Sequence, residues 1–211
     1  MSLRGRVNSI LFVLLVLSVF LLSGCGGTNA TPSSQATGTS KSTQAADTQG
    51  TPAATNPHAG DIPDTQAFVK YRSTQGGYEL EVPEGWAQSI TATGISFTDK
   101  FNNIQVQLAQ AKTTPSVASV RSNEVVTLQQ TGNAVQDVKV QSTQLASGTA
   151  ILITYSANSD ANAVTGKQIR LENNRYLFFH NGKLATLTLS APLGADNVDQ
   201  WARIARSFRW V

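Results

Sequence analysis

Two short segments of this chain are apolar at nearly every position, and they limit the folds that it can adopt. Residues 150–155 read Ala-Ile-Leu-Ile-Thr-Tyr, and residues 176–179 read Tyr-Leu-Phe-Phe. Successive side chains of a β-strand point to opposite faces of its sheet, so a strand that is apolar throughout must be covered on both sides. We therefore expect both segments to be central strands of a sheet with packing layers on its two faces.

Other strands are predicted from a period-two alternation of apolar and polar residues. Residues 78–82 alternate in this way, and Trp86 after them is an expected core residue. Residues 95–97 and 104–108 repeat the pattern, and residues 135–140 indicate a further strand. The domain should therefore contain a β-sheet with many strands.

A β-hairpin is predicted at Asn181-Gly182, because a type I′ turn needs positive φ at both central positions. The returning strand, residues 184–190, alternates leucine with threonine. We expect Leu187 and Leu189 to face the core and Thr186 and Thr188 to face outward.

Two helices are also predicted. In the first, Thr114 is the expected N-cap and Pro115 the first helical residue, and an apolar stripe follows. That stripe consists of Val117, Val120, Val125 and Leu128. The second helix should be capped by Asp196 and should bury one face. That face consists of Val198, Trp201, Ile204, Ala205 and Phe208.

Arg121 and Glu124 interrupt the apolar stripe of the first helix on an α-helical wheel. One interpretation is that they pair with each other at i,i+3 and reach solvent at the rim. The other is that this face is only partly buried and borders a groove, with Arg121 and Glu124 as its candidate site residues.

The start of the chain has the layout of a secretory signal, with Arg4 and Arg6 followed by the apolar residues 10–22. The next residues complete Leu22-Ser23-Gly24-Cys25, which resembles the lipobox of bacterial lipoproteins. The resemblance implies that residues 1–24 are a signal peptide, that cleavage falls between Gly24 and Cys25, and that the Cys25 thiol carries a diacylglycerol. Acylation of the new amine, often by palmitate, would follow. The protein would then be a lipid-anchored membrane protein on the extracytoplasmic face of the cell envelope.

The alternative for the leader is an uncleaved transmembrane helix. Its apolar run of 13 residues is shorter than the roughly 20 that a bilayer span needs. Cys25 is also the chain's only cysteine, so no internal disulfide can form.

Residues 25–64 are expected to be a lipidated cysteine and a disordered linker, and residues 65–211 a single domain. The linker is rich in Thr, Ser, Ala, Gln and Pro and has no aromatic residue, so it buries too little apolar surface to fold. A flexible chain of this length spans about 35 Å.

The charge of the mature chain argues against nucleic-acid binding. Of the 16 Lys and Arg residues, two lie in the leader, which leaves 14 against 13 Asp and Glu. Nucleic-acid binders show a clustered basic excess instead. A mild basic bias remains in the last 45 residues, and either a solvated face or contact with an anionic membrane or partner explains it.

We expect no catalytic, metal or cofactor site. The domain has one histidine, His180, next to a predicted turn, and it lacks a Gly-x-Ser-x-Gly elbow. It also lacks a Cys or His pair and a phosphate-binding loop. Glu79 and Glu81 share the outward face of one strand, where paired carboxylates are most often only solvated.

The order of these elements resembles the PsbP-like family. The shared features are Gly-Tyr-Glu-Leu-Glu-Val-Pro-Glu-Gly-Trp at 77–86, Ile-Ser-Phe at 95–97, Leu-Thr-Leu-Ser-Ala-Pro at 187–192 and Ser-Phe-Arg at 207–209. A Ran-binding nuclear import factor and LpqN-type actinobacterial lipoproteins share that fold. The resemblance implies an α+β domain, a mostly antiparallel β-sheet flanked by helices in an α/β/α sandwich, used for docking.

The leading hypothesis is therefore a membrane-anchored, non-enzymatic lipoprotein that docks a protein or envelope component. The second is a carrier or sensor of a lipophilic small molecule, with a pocket between sheet and helix. A hydrolase that uses His180 is the third.

Overall fold

The computed structural model describes residues 60–211. Its strands are β1 Phe68–Ser73, β2 Tyr78–Pro83, β3 Ala87–Thr91, β4 Gly94–Asp99, β5 Asn102–Gln110, β6 Gln136–Leu145, β7 Gly148–Asn158, β8 Arg170–His180, β9 Lys183–Pro192 and β10 Arg209–Trp210. The helical elements are α1 Val117–Ser119, a π-helical turn Val120–Glu124, α2 Val125–Thr131 and α3 Val198–Ser207. The predicted signal peptide, its cleavage between Gly24 and Cys25, and the lipidation of Cys25 lie outside the described residues.

The strands form two antiparallel sheets. β1, β2 and β10 make a three-stranded sheet, and the other seven strands follow the order β3-β4-β5-β9-β8-β7-β6. The first helical elements cover one face of the large sheet, and the small sheet and α3 cover the other, which confirms the predicted α+β class with a mostly antiparallel sheet. Within residues 60–211, no helix is long and apolar enough to cross a membrane.

The large sheet is buried on both faces, as the two apolar segments predict. Leu152 and Phe178 point into a core shared with the small sheet and α3. Ile153 and Leu177, one residue away, point to the opposite face and pack with Val120 of the π-helical turn. The Asn181-Gly182 hairpin is also confirmed, with φ of 47° and 78°.

The π-helical turn explains the irregular apolar stripe of the first helix. Val120 and Val125 are five residues apart, which does not fit 3.6 residues per turn. The Val125 N–H donates to the Val120 carbonyl, an i→i+5 bond that brings both valines to the same side. The helix begins at Val117 with Ser116 in a capping box, so the predicted cap at Thr114 was two residues early.

Three side chains face differently from the prediction. Thr186 and Thr188 are only 8% exposed, because α1, the π-helical turn and α2 cover the face that was expected to meet solvent. Val198 is 74% exposed, since α3 begins at this residue and buries its face from Gln200 onward. The N-cap position of α3 is Asn197 rather than Asp196.

The packed domain begins upstream of residue 65. Ile62 is 3% exposed and belongs to the core. Asn197, itself 1% exposed, accepts from the Ile62 N–H at 2.6 Å and donates to the Gly60 carbonyl at 2.9 Å. Every described core residue lies between Ile62 and Phe208, so a fragment that starts before Gly60 keeps the whole described core.

Candidate functional site

His180, the histidine that a hydrolase would need, is held by structural contacts. The His180 ring is exposed and stacks on Trp210, with 5.9 Å between ring centroids. Its Nε2 lies 2.9 Å from Nδ2 of Asn181, an amide in the hairpin turn. These partners hold the ring at the turn, and neither is the serine or carboxylate that a hydrolytic triad requires.

Arg121 and Glu124 bond to different partners rather than to each other. Arg121 Nη2 donates to the Val140 carbonyl at 3.2 Å. Glu124 Oε1 accepts from Arg175 at 3.0 Å to Nε and 2.6 Å to Nη2, and the two side chains are 31% and 18% exposed. Both therefore fasten the first helix to the large sheet, and the clefts described below are lined by other residues.

Glu79 and Glu81 share the outer face of β2, as predicted, but their side chains are paired rather than free. The Glu79 side chain is only 5% exposed because Lys70, Arg72 and Arg209 surround it. Glu81 Oε2 accepts from Arg203 Nε at 2.7 Å. The two carboxylates thus organise a cluster of cations.

An open cleft of about 570 Å³ lies where two turns meet. The β1–β2 turn forms one wall, the β3–β4 turn forms the other, and the end of β5 forms the floor. The main side chains that line it are Tyr71, Arg72, Ile90, Thr91, Leu108 and Lys183. Ile90 is 74% exposed and presents an aliphatic side chain beside the cleft.

The lining of this cleft is apolar and cationic. Arg72 and Lys183 are its ionised residues, and no Asp or Glu lies among the described residues that line it. Lys183 makes no ion pair within residues 60–211. The site therefore favours a ligand or partner that presents an anionic group beside apolar surface.

Tyr78 borders the cleft, is only 2% exposed, and keeps its hydroxyl protonated. Burial is the main cause that raises its pKa to about 12, the neighbouring Tyr71 adds to the shift, and a hydrogen bond with Ser73 opposes it. A phenol in this state can donate and accept a hydrogen bond at any physiological pH.

An edge strand lies beside the cleft. β3 ends the seven-stranded sheet, and all five of its residues are exposed. Its outer backbone groups face away from β4, so an extended segment of a partner could pair there.

The described residues offer little to a metal. Between residues 60 and 211, no three His, Cys, Asp or Glu side chains lie close enough together to hold an ion.

The cleft was missed by sequence reasoning, which expected a pocket between sheet and helix. Its walls come from two turns, residues 74–77 and 92–93, that meet only in the folded domain, and turn residues carry no periodic signal. The one available signal was Ile90, an aliphatic residue in a polar stretch.

Comparison with known proteins identifies the fold. No protein-family model matches the chain, and no curated protein matches it. The solution structure of cyanobacterial PsbP (CyanoP) from Synechocystis sp. PCC 6803 aligns with a TM-score of 0.53 at 16% identity, over 72% of this chain and 98% of CyanoP.

Two further solved structures align at lower scores. The Saccharomyces cerevisiae Ran-binding protein Mog1p has a TM-score of 0.46 at 12% identity, over 70% of this chain and 97% of its own. LpqN of Mycobacterium tuberculosis, involved in cell envelope biogenesis, has a TM-score of 0.42 at 16% identity, over 69% of this chain and 91% of its own. The CyanoP alignment shows that residues 60–211 have the PsbP-like fold that the sequence resemblance predicts.

Proposed function

We propose that this protein is a non-catalytic binding module, held on the extracytoplasmic face of the cell membrane by a lipid on Cys25. Its partner is a protein or envelope component that docks at the cleft between the β1–β2 and β3–β4 turns. The observation that carries the proposal is the lining of this cleft, in which Ile90 and Lys183 are both exposed and Lys183 makes no ion pair within residues 60–211.

The cleft has the size and chemistry of a recognition site. Its volume of about 570 Å³ lies within the range of ligand-binding clefts. Ile90 and Leu108 offer apolar contact, and Lys183 offers charge. By contrast, His180 and the Glu124–Arg175 pair are engaged within the fold. The arrangement therefore supports binding better than hydrolysis.

Site-specific photocrosslinking tests the docking site. A photoreactive residue placed at Ile90 of the full chain should crosslink a partner in membranes of the producing cell. The matched control is Val164, which is 93% exposed in the β7–β8 loop and remote in sequence from the cleft. Adducts from position 90 but not from position 164 support the cleft, and equal yields at both positions would refute it.

The apolar walls of the cleft also favour a second candidate, a carrier or sensor of a lipophilic small molecule. Tyr71, Ile95 and Leu108 form a surface that could accommodate a short acyl chain. Native mass spectrometry of a fragment 52–211 purified from cells distinguishes the two functions. A stoichiometric bound molecule supports the carrier, and a mass equal to that of the polypeptide alone argues against it.

The anchor is tested separately. Exchange of Cys25→Ala should abolish palmitate labelling and the cleavage between Gly24 and Cys25. The protein should then accumulate with its leader attached. Full labelling of the Cys25→Ala variant would refute the lipid anchor.

A further inference from the structure

We propose that the outer face of the small sheet binds anionic phospholipid headgroups and so orients the domain on a bilayer. We call this surface the basic face. It consists of Lys70, Arg72, Arg203, Arg206 and Arg209, together with Glu79 and Glu81.

Strand pairing places these charges on one surface. Arg72 lies opposite Glu79 and Lys70 lies opposite Glu81 in the β1–β2 register, so all four side chains project from the same face. Arg209 enters from β10, where it pairs with Glu79 across the ladder.

Helix α3 extends the basic face beside β2. The Glu81 N–H donates to Ser207 Oγ at 2.7 Å, which fixes the end of α3 against the strand. The Arg203 guanidinium carbon lies 4.3 Å above the Phe68 ring centroid. Arg206 is exposed one turn further along the helix.

The basic face carries more cations than are needed to neutralise its two carboxylates. One cation would neutralise the nearly buried Glu79, yet three surround it and each is about 60% exposed. Lys70 Nζ and Arg72 Nη1 are 3.7 and 3.9 Å from the carboxylate, distances at which each retains much of its capacity for hydrogen bonding. Arg206 makes no ion pair within residues 60–211. Five cations against two acids leave a net positive surface.

A hollow in this surface could receive a phosphate. It has a volume of about 360 Å³, and Lys70, Arg206 and Arg209 contribute to its walls. Glu79 and Glu81 also line it, and both carboxylates are paired with cations of the same face. These are the side-chain types that bind phosphate through charge-assisted hydrogen bonds.

The choice of a bilayer as the occupant rests on the proposed function, which tethers the domain near a membrane. A flexible linker of the predicted length spans tens of ångströms. That reach exceeds the roughly 15 Å length of α3, which separates the chain entry at Gly60 from the basic face. The tethered domain can therefore lay this face on the headgroups.

Vesicle binding by the unlipidated fragment 52–211 tests the basic face independently of the anchor. The probes are vesicles of phosphatidylcholine and vesicles of equal parts phosphatidylcholine and phosphatidylglycerol, at low and at high salt. We expect the anionic vesicles to bind at least about tenfold more protein at low salt, and high salt to remove the difference.

Two double variants that remove the same charge test whether the basic face is the surface that binds the vesicles. Lys70→Gln/Arg206→Gln should weaken binding by about tenfold or more, since each cation near an anionic surface contributes about fivefold. Lys139→Gln/Lys167→Gln removes the same charge from β6 and the β7–β8 loop and should change binding less than twofold. Thermal unfolding checks that both variants remain folded.

Two results would overturn the proposal. One is equal binding to both kinds of vesicle, which would direct attention to an acidic protein as the partner of the basic face. The other is an equal loss in the two double variants, which would mean that net charge and not this face drives binding. Palmitate labelling at Cys25 is unaffected by either result, so failure of the basic face and failure of the anchor are distinguishable.

Discussion

At the scale of single residues, several buried polar side chains of this domain form hydrogen bonds with specific neighbours. Asn197 holds the backbone of residues 60–62, and the buried Ser190 Oγ donates to Asn173 Oδ1 at 2.6 Å. Tyr78 is 2% exposed, and its ring stacks on Phe208 with 5.6 Å between centroids. Such groups cost free energy if their partners are lost, so they make the packing specific.

Tyr78 should make the stability of the domain fall at high pH. Its pKa is raised from 10.0 to about 12 in the folded state, chiefly because burial disfavours the phenolate. The unfolded chain then releases this proton first, so the contribution is fully present below pH 10 and is lost as the pH rises from 10 towards about 12. Chemical denaturation of the wild type and of Tyr78→Phe across this range measures the effect.

The phenylalanine variant supplies the comparison for this prediction. It should be less stable than the wild type near neutral pH, because it lacks the hydroxyl that bonds Ser73. Its stability should decline less steeply above pH 10, so the gap between the two proteins narrows. Parallel curves for the two proteins would show that Tyr78 ionises at its ordinary pKa.

At the scale of elements, the first helix is held on the large sheet by its apolar stripe and by the Glu124–Arg175 pair. The π-helical turn makes both possible, because it ends at Glu124 and returns Val125 to the sheet side. Arg175 also donates to Thr188 Oγ1 at 3.2 Å, which joins β8 and β9 beneath the helix.

Glu124→Ala should destabilise the domain by about 2 kcal/mol, because it leaves a mostly buried guanidinium without its anionic partner. Denaturant unfolding measures the loss, and the double variant Glu124→Ala/Arg175→Met should recover part of it. Arg121→Ala is the matched control on the same helix, and it should cost less because its bond is a single contact to a carbonyl. Additive losses in the double variant would refute the coupling.

The positions of the strands could be predicted from the sequence more reliably than the burial of the side chains on each strand face. Residues 150–155 and 176–179 lie in β7 and β8 because an all-apolar segment leaves a strand few alternatives. Thr186 and Glu79 were expected in solvent, but a helix covers the first and long cations cover the second. Local alternation does not record what packs across a sheet, so these contacts become visible only in three dimensions.

At the scale of the whole molecule, the domain should require residues 60–64. A fragment 65–211 loses the burial of Ile62 and leaves the Asn197 side chain without two partners. We expect it to be less stable than fragment 52–211 by about 3 kcal/mol, measured by denaturant unfolding. Equal stability of the two fragments would contradict the role of this segment.

The candidate sites were harder to predict than the fold, because each is assembled from elements remote in sequence. The cleft joins the β1–β2 turn to Ile90 and Lys183, and the basic face joins β1 to α3 and β10. The excess of basic residues among the last 45 was visible in the sequence. Strand pairing, however, is what brings Arg209 beside Lys70 and Arg72.

The attachment of residues 60–62 to Asn197 has a mechanical consequence for a tethered protein. A pull transmitted from the N-terminal side enters at Gly60 and loads the two Asn197 hydrogen bonds and buried Ile62 before it reaches any strand. Under the proposed tether, these contacts and then β1 of the small sheet bear a pull first, and the seven-stranded sheet lies behind them with its own hydrogen-bonded ladders.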